Sequence, residues 1–198
     1  ATAQWSPDPA LNTAICVETY GQEDPQLVSD GADGACIVWL DNRSTLPDIY
    51  AQRLDASGTA LWGPGGAAVC TETSYQTAID AVSDGMGGVI VAWEDSRTGV
   101  LDIYAQRLDG SGTAVWTTGG VLVGTSDEDQ YQPKLLGDGA GGDDALDAAL
   151  HRPTPGGFAN LFCNGDAVAA LDQPRDVAFD GVMRQTRHRY PIAFGYGA

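Results

Sequence analysis

Positively charged side chains are scarce in this sequence. The chain holds 10 lysine and arginine residues, with Lys134 as its one lysine, against 27 acidic residues, so its net charge at pH 7 is −17. Nucleic acids and anionic membrane surfaces both require clustered positive charge on a binding protein. The sequence therefore excludes these two classes of partner and permits the binding of cations.

Long apolar runs are also missing. No run approaches the roughly 20 residues that cross a bilayer, and no apolar pattern with a helical period appears before residue 142. Hydrophobic residues nevertheless make up 43% of the chain, which is too many for a disordered protein. The 26 glycines are about twice the usual share and suit many tight turns. The composition predicts a folded chain without a membrane-spanning segment.

Motifs of common enzymes are lacking as well. The sequence has no Gly-x-Ser-x-Gly, no phosphate-binding loop and no histidine-rich metal motif. Its two histidines, His151 and His188, both lie after residue 150. Little in the chain therefore favours nucleophilic catalysis.

The most prominent feature that is present is an internal repeat. The octapeptide Asp-Ile-Tyr-Ala-Gln-Arg-Leu-Asp at residues 48–55 recurs 54 residues later, at residues 102–109. Trp39-x-Asp41-x-Arg43 recurs at the same offset, and so does the segment Thr-Ala-x-Trp that ends at Trp62. A fixed period of this length is typical of repeat architectures, in which each unit needs its neighbours in order to bury a core.

Each unit is predicted to form four short antiparallel strands. In the first unit these are residues 26–29, 35–40 and 49–54, followed by a strand that carries Thr-Ala-x-Trp and runs toward Cys70. In the second unit they are residues 81–83, 89–94 and 103–108, followed by a strand that runs toward Val123. Glycine-containing turn signals separate the segments in both units.

This pattern resembles the blade repeat of large secreted or cell-surface bacterial β-propeller proteins. The resemblance rests on Trp-x-Asp-x-Arg and on the octapeptide followed by x-Ser-Gly-Thr-Ala-x-Trp, and it covers residues 1 to about 142. It implies an all-β fold of four-stranded antiparallel propeller blades, an extracellular or cell-surface location, and a binding or structural role.

The repeat offset also assigns the blades. The segment that ends at Trp5 matches the fourth strand of later units, so residues 1–17 are predicted to close a blade, with complete blades at about 22–70 and 76–124 and a third from about 130. Closed propellers have about four to eight blades, and open sheet edges invite pairing with another chain. We therefore expect self-association, with a dimer completing a ring of about six blades.

Residues 143–198 depart from the repeat. The segment 143–152 has aspartates at its start and His-Arg before Pro153, which predicts a short helix with Asp147 and His151 on one face as possible metal ligands. Solvation of a polar helix surface is the alternative for that pair. The whole region is a divergent third blade, an added element or a frame-shifted tail.

Four cysteines give two opposing expectations. An even count in a secreted chain allows disulfides. Cys16 and Cys70 are 54 residues apart, however, and equivalent positions in stacked units normally lie too far apart to be bridged. We expect buried free thiols at Cys16, Cys36, Cys70 and Cys163.

The segment that precedes the first strand of each unit carries the candidate site. Three glutamines recur there at the repeat offset, at Gln22, Gln76 and Gln130. Carboxylates accompany them at Glu18, Glu72 and Asp127. In a ring these groups converge on the mouth of the central tunnel, where they would bind a divalent cation such as calcium, a glycan or another small polyhydroxylated ligand. Hydrogen bonds between blades are the structural alternative for the glutamines.

Two functions follow from these patterns. The first is a non-catalytic extracellular module for binding or structure. The second is a weak or promiscuous metal-dependent hydrolase that uses acidic residues at the tunnel mouth. Residues that recur once per unit are expected to be structural: Asp41 and Arg43 as an ion pair, and Asp30 in a tight turn rather than a calcium loop.

Overall fold

A computed structural model describes residues 8, 10, 12–123, 129–136, 147–150, 161–163 and 166–167. Strands are the regular secondary structure of these residues, and no helix occurs among them. No membrane-spanning helix is therefore found in the described part of the chain. The predicted all-β class is confirmed.

The strands form three antiparallel sheets of four, and each sheet follows the order of the chain. The first sheet contains β1 (Gln22–Ser29), β2 (Ala35–Asp41), β3 (Asp48–Leu54) and β4 (Ala67–Cys70). The second contains β5 (Gln76–Ser83), β6 (Val89–Asp95), β7 (Asp102–Leu108) and β8 (Val121–Leu122). The third contains β9 (Pro133–Leu136), β10 (Asp147–Leu150), β11 (Leu161–Cys163) and β12 (Asp166–Ala167).

The register of the first two sheets repeats at the sequence offset. Ala35 pairs with Leu54 in the first sheet, and Val89 pairs with Leu108 in the second. Both first strands carry an irregularity at the same place, between Glu23 and Gln26 in β1 and between Thr77 and Asp80 in β5. Pro25 lies inside the first irregularity, where a residue without an N–H does not interrupt the ladder. The two units therefore share one backbone plan.

The core lies between consecutive sheets. β1 contacts β5, and β5 in turn contacts β9, so the sheets are stacked in chain order. All seven residues of β6 are buried, as expected for the middle strand of a sheet that is covered on both faces. The apolar runs that predicted β2 and β6 are thus explained by burial between sheets.

Three details differ from the sequence prediction. β1 and β5 begin at Gln22 and Gln76, earlier than expected, because pairing resumes on the far side of each irregularity. The Thr-Ala-x-Trp segment contributes only single bridges, Leu54 with Ala60 and Leu108 with Ala114, and the fourth strands lie farther along the chain.

The third difference concerns the predicted helix over 143–152, which is wrong at its centre. Residues 147–150 form β10 and pair with β9, with Asp147 opposite Leu136 and Leu150 opposite Pro133. An isolated helix of about ten residues is marginal in water, whereas the edge of β9 supplies backbone partners. Asp147 therefore does not lie on a helical face with His151, which is outside the described residues. Of the predicted closing strand at 1–17, residues 1–7, 9 and 11 are also outside them, and its described residues form no strand.

Candidate functional site

The Asp-x-Arg motif closes the second strand of each repeat. Asp95 is fully buried, and its Oδ1 accepts hydrogen bonds from Ser74 Oγ (2.8 Å) and from the Arg97 backbone N–H (2.9 Å). Its Oδ2 accepts from Trp93 Nε1 (2.9 Å) and from the Arg97 guanidinium. All the acceptor capacity of this carboxylate is used within the unit.

The arginine of the motif is also bound within its sheet, although the buried Nε of Arg97 has no hydrogen-bond partner. The Arg97 guanidinium lies 3.9 Å from the centre of the Tyr104 ring and donates to the Gly119 carbonyl at 2.9 Å. Arg43 repeats both contacts, with the Tyr50 ring at 3.8 Å and the Gly65 carbonyl at 2.9 Å. Each arginine therefore links the second and third strands of its own sheet to the turn that precedes the fourth strand.

Electrostatics support a structural role for these groups. Burial alone would raise the pKa of the Asp95 carboxyl, but hydrogen bonds from Arg97, Trp93 and Ser74 outweigh it and hold the pKa below its ordinary value. The pKa of Asp41 is lowered by the same balance, with Arg43 and Trp39 as the main donors. A carboxylate held ionised in this way is a poor general acid or base near neutral pH.

A second ion pair recurs at the opposite end of the sheet. Asp30 Oδ2 accepts from Arg53 Nε at 3.0 Å and from the Arg53 terminal nitrogen at 2.9 Å. Asp30 Oδ1 accepts the backbone N–H groups of Ala32 and Gly34, both at 2.8 Å. The loop is thus a turn that Asp30 holds closed, as the sequence favoured, and Asp84 repeats it with Met86 and Gly88.

The glutamines predicted as ligand-binding residues hold the loops that precede their strands. Gln76 is fully buried, and its Nε2 donates to the Glu72 carbonyl (3.0 Å), the Ser74 carbonyl (2.8 Å) and Ser74 Oγ (2.8 Å). Gln22 is exposed, and its Nε2 donates to the carbonyls of Tyr20 (3.1 Å) and Glu18 (3.5 Å).

Gln130 differs from the other two glutamines. Its backbone N–H donates to the Leu101 carbonyl at 2.6 Å, and its Oε1 accepts from the Ile103 N–H at 3.3 Å. Gln130 therefore bonds to the preceding repeat, which is the structural alternative that the sequence left open. Gln22 and Gln76 instead bond within their own approach loops.

The carboxylates predicted as metal ligands lie one unit apart, and each covers a glycine turn. A Cβ placed on Gly65 would lie 3.0 Å from Glu18 Oε1, and a Cβ on Gly119 would lie 2.5 Å from Glu72 Oε1. Asp127 is outside the described residues. Within the described ranges, no group of three or more His, Cys, Asp or Glu side chains is arranged to hold a metal ion.

Sequence reasoning missed one polar row at the loop end of the second sheet. Gln76 pairs with Asp95, and Asp95 pairs with Asp102, so the three residues lie side by side across β5, β6 and β7. We call this set the loop-end row. Asp102 is 3% exposed and accepts a hydrogen bond from Thr98 Oγ1. The sequence signal for the loop-end row was Asp102 itself, the aspartate that opens the repeated octapeptide.

Two atoms of the loop-end row are buried acceptors without a hydrogen-bond partner, Gln76 Oε1 and Asp102 Oδ1. Native proteins pair the large majority of such atoms with protein groups, water or a ligand. These two atoms are therefore where a donor or a cation would be stabilised.

Glu94 is a further buried acid near this end of the molecule. Burial raises the pKa of Glu94 above its ordinary value, and the negative charge of Asp129 adds to the rise. Glu94 Oε1 accepts the backbone N–H of Gln132 at 2.7 Å, which ties β6 to the approach of β9. Its counterpart in the first sheet is Leu40, so no repeat signal marked it.

The three free cysteines fit the same structural picture. Cys16, Cys36 and Cys70 form no disulfide, and Cys36 and Cys70 are buried as expected, whereas Cys16 is only partly buried. The side chain of Cys163 is outside the described residues. Burial raises the pKa of Cys36 to about 12 and that of Cys70 to about 11, so both thiols stay protonated and unreactive near neutral pH.

Comparison with known proteins adds no assignment, because no family model, curated protein or solved structure matches this chain. The function of the loop-end row is therefore inferred from the burial and hydrogen bonding of its residues.

Proposed function

We propose that this chain is a non-catalytic β-propeller module of an extracellular or cell-surface protein, and that it binds its ligand at the end of the sheets where the loop-end row lies. The three four-stranded sheets, stacked in chain order, support the blade arrangement. Self-association completes the ring, because three blades are fewer than a closed propeller requires.

The observation that carries the proposal is the pair of unpartnered acceptors, Gln76 Oε1 and Asp102 Oδ1. Divalent cations such as calcium take carboxylate, amide and carbonyl oxygens as ligands. Hydroxyl groups of a glycan supply hydrogen-bond donors for the same atoms. A divalent cation is the first ligand class to be tested, and a glycan is the second.

The remaining charged groups of the repeats support a role without catalysis. Asp95 and Arg97 are bonded to each other, and Asp30 is bonded to Arg53. A carboxylate that is held ionised by hydrogen bonds to both of its oxygens, as Asp95 is, makes a poor general acid or base. The proposal therefore assigns binding to the loop-end row and stability to the ion pairs.

Titration with calcium tests the proposal, followed by a panel of soluble glycans, with the melting temperature as the readout. A ligand that binds only the folded state raises the melting temperature as its concentration exceeds the dissociation constant. We expect calcium to raise it for the wild-type chain, and we expect Asp102→Asn to remove that response.

The matched control is Asp33→Asn, because Asp33 is an exposed turn residue with a φ of 64° that asparagine tolerates. It changes the same net charge and should leave the calcium response intact. The absence of any response to calcium and glycans, or an equal response from Asp102→Asn, would contradict the proposal.

A further inference from the structure

The proposed ring requires that both sides of every sheet are covered. We call the side of the first sheet that is turned away from the second sheet the leading face. We infer that the leading face is the docking surface for the third sheet of a second copy of this chain, joined head to tail. This inference rests on the proposed function. The observation that carries this inference is the internal joint between the first two sheets, where a face with the same strand register as the leading face is covered by a neighbouring sheet.

The internal joint identifies which residues a covering sheet contacts. Ala81, Val91 and Trp93 of the second sheet pack against the core that joins it to the first sheet. Val82, the neighbour of Ala81, points the other way, into a second cluster that includes Leu135 of the third sheet. The side of the second sheet that meets the first sheet is thus defined by alternating residues.

Two of the three counterparts in the first sheet, Leu27 and Ile37, lack a full cover on the leading face, whereas Trp39, the counterpart of Trp93, is only 3% exposed. Leu27, the counterpart of Ala81, is 71% exposed, and Ile37, the counterpart of the buried Val91, is partly exposed. Gln22 is exposed where Gln76 is fully buried. Because backbone and register are the same in the two sheets, the difference in exposure comes from the missing neighbour.

The segment 14–18 already lies at the edge of the leading face as a fourth strand would. Cys16 Sγ is 3.6 Å from the Arg43 guanidinium, just as Cys70 Sγ at the end of β4 is 3.3 Å from that of Arg97. Glu18 covers the turn at Gly65 in the way that Glu72 covers Gly119. Segment 14–18 is therefore positioned as part of a preceding sheet, yet Val17 is 76% exposed.

A second copy of the chain is the occupant that fits this surface. The chain's own third sheet lies on the far side of the second sheet, since β9 contacts β5 and β6. Three sheets are too few to close a ring on themselves, because propellers need about four to eight blades. Two copies supply six sheets, and each copy then covers the leading face of the other with its third sheet.

The mass of the full chain in solution tests the inference, measured by light scattering and sedimentation over a range of concentrations. We expect about twice the 20.6 kDa chain mass for the wild type. We expect the monomer mass for Leu27→Asp, because a charge is then placed in the centre of an apolar joint. Circular dichroism checks that the variant remains folded, which its exposed position favours.

Leu61→Asp is the matched control, because it makes the same chemical change elsewhere on the first sheet. Leu61 is 45% exposed, and its counterpart Val115 remains 48% exposed although the second sheet is covered. Position 61 therefore lies outside the joint, and its variant should keep the dimer mass.

Each other outcome overturns the inference in a defined way. A wild type that is monomeric at every concentration shows that no second copy binds. A Leu27→Asp variant that is dimeric shows that the leading face is not the docking surface. Species that grow beyond the dimer show that the ring does not close with two copies. A disulfide between two Leu27→Cys chains shows that leading faces meet each other rather than a third sheet. The calcium and glycan titrations use a different site, so they still decide ligand binding at the loop-end row in each of these cases.

Discussion

At the scale of single residues, the molecule is organised around carboxylates that are buried and ionised. Asp95 is the clearest case, because four donors from three other residues surround its two oxygens. Removing the charge leaves the Arg97 guanidinium without its anion in a partly buried position. Loss of one partner from a buried pair is usually more costly than loss of both.

Asp95→Asn tests this network. We expect the free energy of unfolding at pH 7 to fall by about 3 kcal/mol, measured by denaturant titration. Because the folded pKa of Asp95 is below its ordinary value of 3.8, its stabilising effect is present above that value and is lost as the pH falls below it. The difference between the variant and the wild type should therefore shrink in acid.

Asp33→Asn is the control here as well, since Asp33 is exposed and has no part in a buried pair. It should leave the unfolding free energy within about 0.5 kcal/mol of wild type. A gap between Asp95→Asn and wild type that stays constant down to about pH 2.5 would mean that the ionised form is not what stabilises the fold.

At the scale of strands and turns, the sequence predicted the middle of each sheet better than its edges. β2, β3, β6 and β7 follow apolar and octapeptide patterns that leave little choice of register. The starts of β1 and β5 depend on a backbone irregularity, which no side-chain pattern announces. β10 depends on the presence of β9, because a short segment adopts the conformation that its neighbour can pair with.

The turn before β8 shows how closely the elements fit. Gly120 has a φ of +89°, and a Cβ added there would lie 2.5 Å from the Trp93 ring and 2.8 Å from the Ala105 carbonyl oxygen. The fourth strand can approach β6 and β7 only because this position has no side chain.

Gly120→Ala should therefore lower the free energy of unfolding by about 3 kcal/mol, from backbone strain together with overpacking against Trp93. Gly99→Ala is the matched control, since Gly99 has a φ of +97° and nothing within 4 Å of an added Cβ. Its cost should be about 1 kcal/mol, from the backbone alone. Equal losses in the two variants, measured by denaturant unfolding, would refute the contact with Trp93.

The candidate site was only partly predictable from the sequence. The offset of 54 residues correctly placed Gln22 and Gln76 at equivalent positions, and it placed Glu18 and Glu72 over equivalent turns. Their roles could not be derived from the repeat, because identical residues acquire different burial from different neighbours. Asp102 escaped notice since it belongs to the octapeptide, whose repetition suggested a purely structural strand.

At the scale of the whole molecule, the dominant property is negative charge. A net charge of −17 on a chain of this size causes repulsion that destabilises the compact folded state more than the unfolded state. The apolar core between the sheets and the ion pairs within them have to overcome that repulsion. Dissolved salt screens it, because the Debye length falls to about 10 Å at 0.1 M.

The melting temperature at pH 7 should therefore rise as sodium chloride is added from low concentration up to physiological ionic strength. The control is the same salt series near pH 4, close to the sequence pI of about 4.1, where net repulsion is small. We expect the salt effect to be much weaker there. A melting temperature at pH 7 that is flat or falls with salt would argue that charge repulsion does not limit stability.

The identity of β3 and β7 has a consequence for how the chain reaches its native state. The two strands have the same seven residues, so a folding chain can pair β2 with β7, or β6 with β3, through the same backbone ladder. Exchange of equivalent elements between units, or between molecules, is a characteristic error of repeat proteins. The exchanged pairing itself does not discriminate, because Glu94 already lies opposite Ile103 in the native second sheet and would meet the same residue type at Ile49. Discrimination has to come from strands that differ between the units, such as β4 and β8. The fidelity of folding thus depends on the few positions at which the repeats differ.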